Sequence, residues 1–361
     1  MPTVRKNSFF LFERTNYFIF VLAGAVLSIA HPPMSLPYVV IFVLAIIGIH
    51  WYNIGPKPLS SFFLGWFFGL GNFFFSLMWI TEPFLVRPKE TGILAPFALI
   101  LLAASLSCFW GFAFWGASLK NDYKSKFRSL LKLGAFLSLA ELLRSFMFTG
   151  FPWAIFGIAF VETPLGQSLA LFGPYWLTSV VIIFSFVSST GLKGFTISVI
   201  GFASLFLYGE TRNKDISFLE QAVRVRIVQP NIDQKLKWKP ELASSHIEKL
   251  FSLSQNNLEE VDLIIWPETA IQLFLENQKD FSNQVSEKIG KIIILGARKY
   301  VREKHELFNS AYLLDEMGKI QNSYDKKHLV PFGEYIPFAN YIKKLGLKGL
   351  ASNGISGFTV G

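Results

Sequence analysis

Long apolar runs separated by short polar segments dominate the first 210 residues of the chain. A helix crosses a lipid bilayer with about 20 predominantly apolar residues. The runs of roughly this length lie at 16–32, 36–54, 60–80, 92–118, 130–149, 168–188 and 193–209. The first run gives the weakest signal, because it is short and ends in two prolines. The pattern predicts a transmembrane domain over residues 1–210 with about seven spanning helices.

Beyond residue 210 the apolar runs shorten to the length of strands and alternate with amphipathic segments. The pattern predicts strands at 223–229, 261–266 and 292–297, helices at 240–258 and 275–289, and a hairpin that joins 311–315 to 319–324. A strand–helix–strand order of this kind is typical of α/β domains, in which helices cover a sheet. Residues 211–361 are therefore predicted to form an α/β domain.

The composition supports a membrane location for part of the chain. Of its 361 residues, 52% are hydrophobic and only 16% are charged, whereas soluble domains contain about 25% charged residues. The net charge of +9 is compatible with a nucleic-acid partner. Many lysines and arginines, however, flank the apolar runs, where such residues set membrane topology. We therefore expect no nucleic-acid partner.

Basic residues in the short loops predict the orientation of the helices. With the N-terminus in the cytoplasm, the inner segments hold ten lysines and arginines and the outer short loops hold two. The inner residues are Arg5, Lys6, Arg14, Lys57, Lys120, Lys124, Lys126, Arg128, Lys132 and Lys193, and the outer ones are Arg87 and Lys89. Seven spans would then place residues 211–361 outside, which in a bacterium is the periplasm.

Two segments of the predicted α/β domain carry candidate catalytic groups. The strand that ends at Trp266 runs into Pro267 and Glu268, and Lys326, Lys327 and His328 follow the hairpin. Ligands gather at the carboxyl ends of strands in such sheets. A carboxylate there can take a proton while a lysine stabilises an oxyanion. By themselves, these residue types more often form a solvated turn and a solvated basic loop.

The remaining polar features give weaker signals. Glu141 and Arg144 lie in the fifth apolar run, where charges are often functional, but we favour an i,i+3 pair near the helix end that reaches polar surroundings. The aromatic loop 149–157 either lies at the membrane interface or lines a lipid entrance. Cys108 lies inside the fourth run and is most simply a small core residue. The scattered histidines and the absence of nucleotide-binding motifs predict neither a metal nor a cofactor.

Residues 265–270 (Ile-Trp-Pro-Glu-Thr-Ala) and 324–337 (Tyr-Asp-Lys-Lys-His-Leu-Val-Pro-Phe-Gly-Glu-Tyr-Ile-Pro) closely resemble the apolipoprotein N-acyltransferase family. Residues 150–153, 228–231, 236–238 and 308–310 are similar to that family too. Its members are bacterial inner-membrane enzymes with a nitrilase-like (carbon–nitrogen hydrolase) domain. The resemblance implies a multi-span α-helical membrane domain followed by an αββα nitrilase-like sandwich.

The resemblance also implies roles for individual residues. Glu268 corresponds to the general base, and Lys326 rather than Lys327 to the lysine that stabilises the oxyanion. Glu334, Trp238 and Asn309 correspond to residues around the substrate pocket. In the family, a cysteine takes a fatty acyl group from a phospholipid. The thioester then acylates the α-amino group of the diacylglyceryl-cysteine of an apolipoprotein, without metal or cofactor.

The sequence departs from the family pattern at the nucleophile. The family's Ile-Cys-Tyr-Glu-like segment would fall after Gly361, so we expect a C-terminally truncated chain. Its α/β domain would be incomplete, its last span missing, and residues 1–361 inactive on their own. Three alternatives remain: another membrane-anchored nitrilase-type amidase, a non-catalytic membrane protein with a remnant nitrilase-like binding domain, and, with weaker support, a transporter.

Overall fold

The computed structural model describes residues 3–85, 88–148, 150–214, 223–233, 236–237, 239–275, 279–330, 334–335 and 357–361. The chain divides into two compact units, Met1–Ser217 and Phe218–Gly361. The domain boundary predicted at residue 210 falls inside the last long helix of the first unit, Leu192–Lys214.

The first unit is built from long apolar helices. They are α1 (Thr3–Leu27), α2 (Val39–Ile54), α3 (Pro58–Ser76), α4 (Ala95–Ser118), α5 (Lys126–Phe146), α6 (Leu169–Ser188) and α7 (Leu192–Lys214). Among the described residues, four helical stretches are long and apolar enough to cross a membrane: Pro58–Ser76, Gly92–Ser118, Pro164–Ser188 and Leu192–Arg212. The multi-span helical character of this half is confirmed, and the number of seven spans stays a prediction.

Small residues let α3 approach its neighbours closely. A Cβ atom on Gly71 would lie 2.1 Å from the carbonyl oxygen of Val21 in α1, and one on Gly65 would lie 2.5 Å from that of Trp110 in α4. Helices in lipid gain little from the hydrophobic effect between them, so close backbone packing contributes much of their association. The glycines of α3 therefore place this helix between α1 and α4.

The charged pair of α5 is fully buried. The guanidinium of Arg144 donates to both carboxylate oxygens of Glu141 at 2.8 and 2.7 Å, and Trp110 Nε1 donates to Glu141 Oε1 at 2.8 Å. Arg144 Nη1 also donates to the carbonyls of Phe151 and Trp153 at 2.7 and 2.8 Å. The predicted i,i+3 pair exists, and its polar surroundings are the backbone of the aromatic loop. Arg144 thus ties this loop to α5.

Replacing Arg144 by methionine should destabilise the first unit by about 3–5 kcal/mol, because the change leaves the Glu141 carboxylate buried without its cation. The midpoint of thermal unfolding in detergent measures this loss. Arg128→Met on the exposed face of the same helix is the matched control. The double variant E141Q/R144M should lose less than the sum of the two single variants, because the two residues share one interaction. An unchanged midpoint for R144M would contradict the inference that Arg144 ties the aromatic loop to α5 and neutralises Glu141.

The second unit contains a five-stranded sheet among its described residues, in the order β1-β2-β3-β4-β5. The strands are β1 (Val225–Ile227), β2 (Leu263–Ile265), β3 (Ile292–Val301), β4 (Glu306–Leu314) and β5 (Ile320–Asp325). The first three are parallel, and β4 pairs antiparallel with both β3 and β5. The helices α8 (Ala243–Ser254) and α9 (Lys279–Lys288) lie between the parallel strands in sequence. The predicted α/β class is confirmed.

The core of the second unit joins these helices to the sheet. Phe251 of α8 and Val285 of α9 pack in one buried cluster with Ile264 and Ile293, from β2 and β3. The indole nitrogen of Trp266 donates to Ser254 Oγ at 2.9 Å, which secures the end of β2 to the end of α8. The continuous apolar runs of β2 and β3 are typical of buried parallel strands.

Candidate active site

Glu268 and Lys326 reach the same place from different strands. Glu268 lies three residues beyond the last residue of β2, after Trp266 and Pro267, and the amide of Trp266 still donates to the carbonyl of Ile294 at 2.9 Å. Lys326 directly follows β5, and its amide donates to the carbonyl of Asn309 in β4 at 2.9 Å. The turn after β2 and the end of the β4–β5 hairpin therefore meet at the same end of the sheet, where β2 and β5 both terminate.

Four side chains converge there in a closed network. Lys326 Nζ lies 3.0 Å from Glu268 Oε1 and 3.0 Å from Glu334 Oε1. Asn309 Nδ2 donates to the same oxygen of Glu268 and, at 2.8 Å, to the same oxygen of Glu334. One ammonium and one amide thus hold two carboxylates together. The predicted site residues Glu268, Lys326, Glu334 and Asn309 are in contact, and Trp238 lies outside the described residues.

The two carboxylates differ in exposure. The side chain of Glu268 is 60% exposed, whereas that of Glu334 is 12% exposed. The other oxygen of Glu334 accepts from the amide of Val330 at 2.7 Å, so this carboxylate is bound on both sides. Glu334 therefore acts as a fixed anion that orients Lys326. Glu268 is the more solvent-accessible of the two carboxylates.

The charges of the network stabilise one another. Partial burial lowers the pKa of Lys326, but hydrogen bonds to Glu268 and Glu334 and their charges outweigh burial, so the pKa is raised overall. Burial raises the pKa of Glu334, but the amide of Val330, the Asn309 side chain and Lys326 outweigh it, and the pKa is lowered overall. Lys326 therefore stays a cation and Glu334 an anion at neutral pH. A fixed cation beside an accessible carboxylate is suited to proton transfer with oxyanion stabilisation.

The same network could not serve as a ready metal site, because its two carboxylates already share an ammonium. Among the described residues, no three His, Cys, Asp or Glu side chains are grouped to hold a metal ion. The network itself supplies a carboxylate that can accept a proton and an ammonium that can stabilise negative charge.

Comparison with known proteins matches both units of the chain to known families. Residues 23–187 match the apolipoprotein N-acyltransferase N-terminal domain, and residues 224–355 match the carbon-nitrogen hydrolase domain. Apolipoprotein N-acyltransferase of Brucella suis biovar 1 (strain 1330) is 33% identical over 94% of this chain and 69% of its own length. The chain belongs to the apolipoprotein N-acyltransferase family. The resemblance inferred from the Trp-Pro-Glu and Lys-Lys-His segments is thereby confirmed.

Other members of the family give similar matches. Apolipoprotein N-acyltransferase of Brucella melitensis biotype 1 is 32% identical over 94% of this chain and 69% of its own length. The protein of that name from Rhodopseudomonas palustris is 31% identical over 91% of this chain and 66% of its own length. This chain thus spans about two thirds of the length of these relatives.

A second layer of contacts behind Lys326 was not predicted from the sequence. Lys299 Nζ lies 2.9 Å from Asp325 Oδ2, and Ser310 Oγ donates to Asp325 Oδ1 at 2.7 Å. Ser310 faces Asp325 in the register of β4 and β5. These bonds fix Asp325, the residue that directly precedes Lys326. The signal available in the sequence was an acidic residue directly before Lys326, at the end of a predicted strand.

The lowered pKa of Glu334 predicts a pH-dependent contribution to stability. A carboxylate with a lowered folded-state pKa contributes stability above its unfolded pKa, about 4.3 for Glu, and that contribution is lost as the pH falls through the folded-state value. Glu334→Gln should therefore lower the unfolding midpoint at pH 7 and have a smaller effect at pH 3. The exposed control Glu303→Gln should have little effect at either pH. Equal losses at both pH values for E334Q would contradict the inferred ionised network.

Proposed function

We propose that this chain provides the general base and the oxyanion-stabilising lysine of an N-acyltransferase for lipoproteins. The acyl donor is a phospholipid, and the acceptor is the N-terminal diacylglyceryl-cysteine of an apolipoprotein. The observation that carries the proposal is the contact of Lys326 with both Glu268 and Glu334. It supports the proposal because both carboxylates and the lysine are those that the family resemblance singles out.

The reaction proceeds by ping-pong acyl transfer. Glu268 takes the proton of a cysteine thiol, and the thiolate attacks the ester carbonyl of the phospholipid. Lys326 stabilises the oxyanion, the ester C–O bond breaks, and the proton returns to the departing lysophospholipid oxygen. The α-amino group of the acceptor then attacks the thioester and loses a proton to Glu268. Breaking the C–S bond forms the amide and restores the thiol, which recovers that proton.

The proposal does not assign the thiol to Cys108, the one cysteine of the sequence. Cys108 lies inside α4, in the first unit, and its Sγ donates to the carbonyl of Ala104 at 3.5 Å. Reactive thiols occupy electropositive surroundings that favour the thiolate, and an apolar helix does the reverse. Residues 1–361 thus carry the base and the lysine of the proposed reaction.

We further propose a location in the bacterial inner membrane. The N-terminus would lie in the cytoplasm, and residues 211–361 in the periplasm. In the described part of the chain, four helical stretches long and apolar enough to cross a membrane support the membrane setting. The excess of lysine and arginine in the predicted inner loops supports the orientation. Both proposed substrates are held in the bilayer by acyl chains. A catalytic unit attached to helices in the same bilayer would therefore encounter them by lateral diffusion.

Expression in a bacterium depleted of its own apolipoprotein N-acyltransferase tests the proposed function. Mass spectrometry of a purified lipoprotein reports whether its N-terminal cysteine carries an amide-linked third acyl chain. We expect the triacylated form when the full-length gene is expressed and only the diacylated form with an empty vector. Persistence of the diacylated form, with the protein present in the membrane, would contradict the proposal.

A further inference from the structure

Lys237 contacts the turn that carries Glu268. Its Nζ donates to the carbonyl of Glu268 at 3.3 Å and to Thr269 Oγ1 at 2.8 Å. The carbonyl of Lys237 accepts a hydrogen bond from the Gln272 side chain. The side chain and the carbonyl of Lys237 therefore connect the segment after β1 to the turn after β2, at Glu268 and Thr269 on one side and at Gln272 on the other.

This turn has a strained backbone. Thr269 has a φ of 47°, in the left-handed region, which is a genuine outlier for a β-branched residue. Such a conformation costs about 1–3 kcal/mol and persists only where its surroundings enforce it. The hydrogen bond from Lys237 to the Thr269 hydroxyl acts directly on the strained residue. The residue next to the proposed base is therefore held in place by an ammonium group.

The opposite side of the turn rests against β3. A Cβ atom on Gly296 would lie 2.5 Å from both the carbonyl oxygen of Pro267 and the amide nitrogen of Thr269. The amide of Ala270 donates to the carbonyl of Gly296 at 2.8 Å. Glycine is thus required for the close approach, and the turn is enclosed between β3 and Lys237.

Lys237 and Glu268 also line a common cavity of about 160 Å³, together with Asn231, His246 and Gln272. Partial burial lowers the pKa of Lys237, and the negative charge of Glu268 opposes this effect. The ammonium is therefore partly withdrawn from solvent beside the turn. A hydrogen bond from a partly desolvated ammonium constrains its acceptor more strongly than one in water.

We propose that Lys237 is a positioning residue, which holds the Glu268 carboxylate against Lys326 and Asn309 by fixing the Glu268–Thr269 peptide. The inference rests on the proposed function of Glu268 as base. Lys237 acts through Glu268 and leaves substrate binding to other residues. Loss of its ammonium should therefore lower kcat and leave KM nearly unchanged.

The first test compares Lys237→Met with Lys239→Met, an exposed lysine two residues away. Hydrogen exchange reports on the turn without any need for activity. In K237M we expect the amide of Ala270 to exchange at least about tenfold faster, with the amides of β3 and β4 unchanged, because loss of one restraint opens the turn locally. K239M should exchange like the wild type. Unchanged exchange at Ala270 in K237M, or faster exchange throughout the sheet, would overturn the proposal.

Kinetics of the full-length gene product provide the second readout. We expect kcat of K237M to fall about 10–100-fold, because small misplacements of a catalytic group have effects of this size, with KM within about twofold. A raised KM with unchanged kcat would overturn the proposal, because Lys237 would then bind substrate. If the wild type shows no acyl transfer, the proposed function fails, and the exchange experiment still decides whether Lys237 positions the turn.

The hydroxyl of Thr269 supplies a variant that leaves Lys237 in place. Thr269→Val removes the acceptor, whereas Thr269→Ser keeps it. We expect T269V to reproduce the faster exchange of K237M and T269S to resemble the wild type. The double variant K237M/T269V should be no worse than K237M, because the bond that T269V removes, from Lys237 Nζ to Thr269 Oγ1, is already lost in K237M. Additive effects would show that the two residues act separately and would overturn the proposal.

Discussion

Glu268→Gln is expected to lower the rate of acyl transfer by about 10²–10⁴-fold, the usual contribution of a general base. Glutamine keeps the size of the side chain and an oxygen that can accept from Lys326 and Asn309, so the fold of the site should persist. What it loses is the capacity to take a proton. Release of lysophospholipid and formation of the amide should both decline, because Glu268 receives a proton in each half of the reaction. Both products can be measured in one assay of the full-length gene product.

Glu259→Gln, on the exposed segment before β2, is the matched control for this variant. It changes the net charge by the same amount in the same unit and should keep the wild-type rate. An E268Q protein that released lysophospholipid at the wild-type rate would remove Glu268 from the reaction, and the network would then be purely structural.

Lys326→Met is expected to lower the rate by about 10²–10³-fold, the effect of removing one donor from an oxyanion site. The substitution also leaves the carboxylates of Glu268 and Glu334 close together without their shared cation. The pKa of Glu334 should then rise, because Lys326 is one of the groups that lower it. Acyl-transfer rates and the pH profile of kcat therefore both report on this residue.

The neighbouring Lys327 offers a stringent control, because its side chain is exposed. Lys327→Met should retain the wild-type rate. Lys326→Arg should also lose activity, because a planar guanidinium cannot replace a compact ammonium between two carboxylates. Loss of activity in K327M with retention in K326M would show that the family lysine had been assigned to the wrong residue.

The sequence predicted the positions of Glu268 and Lys326, because Glu268 follows an apolar run and Lys326 follows a predicted hairpin. Hydrophobic patterning did not predict their contact with Asn309, which the family resemblance alone assigned to the pocket and which depends on the pairing of β3, β4 and β5. That register places Asn309 opposite Arg298 and carries its backbone to Lys326. Hydrophobic patterning determines which face of a strand is buried, but several registers satisfy the same pattern. The contacts of Lys237 escaped prediction for a related reason, since they join two loops distant in sequence.

In the helical unit, hydropathy predicted the positions of the helices more accurately than their lengths. Helix α1 begins at Thr3, well before the apolar run that starts near residue 16. Charged residues such as Arg5 and Lys6 do not prevent helix formation, although they lower the hydropathy on which the prediction depends. The backbone partners of Arg144 were equally hidden, because any sequence would supply such carbonyl groups.

The most direct measurement of the central claim is acyl transfer by the purified full-length gene product, from a phospholipid vesicle to a diacylglyceryl-cysteine peptide. Wild type, E268Q, K326M, E259Q and K327M are compared at equal concentration and verified folding. The proposed mechanism predicts release of lysophospholipid and an amide-linked acyl chain with the wild type, E259Q and K327M, and strong loss of both products with E268Q and K326M. Equal rates for all five proteins would contradict the assignment of Glu268 and Lys326 to the reaction.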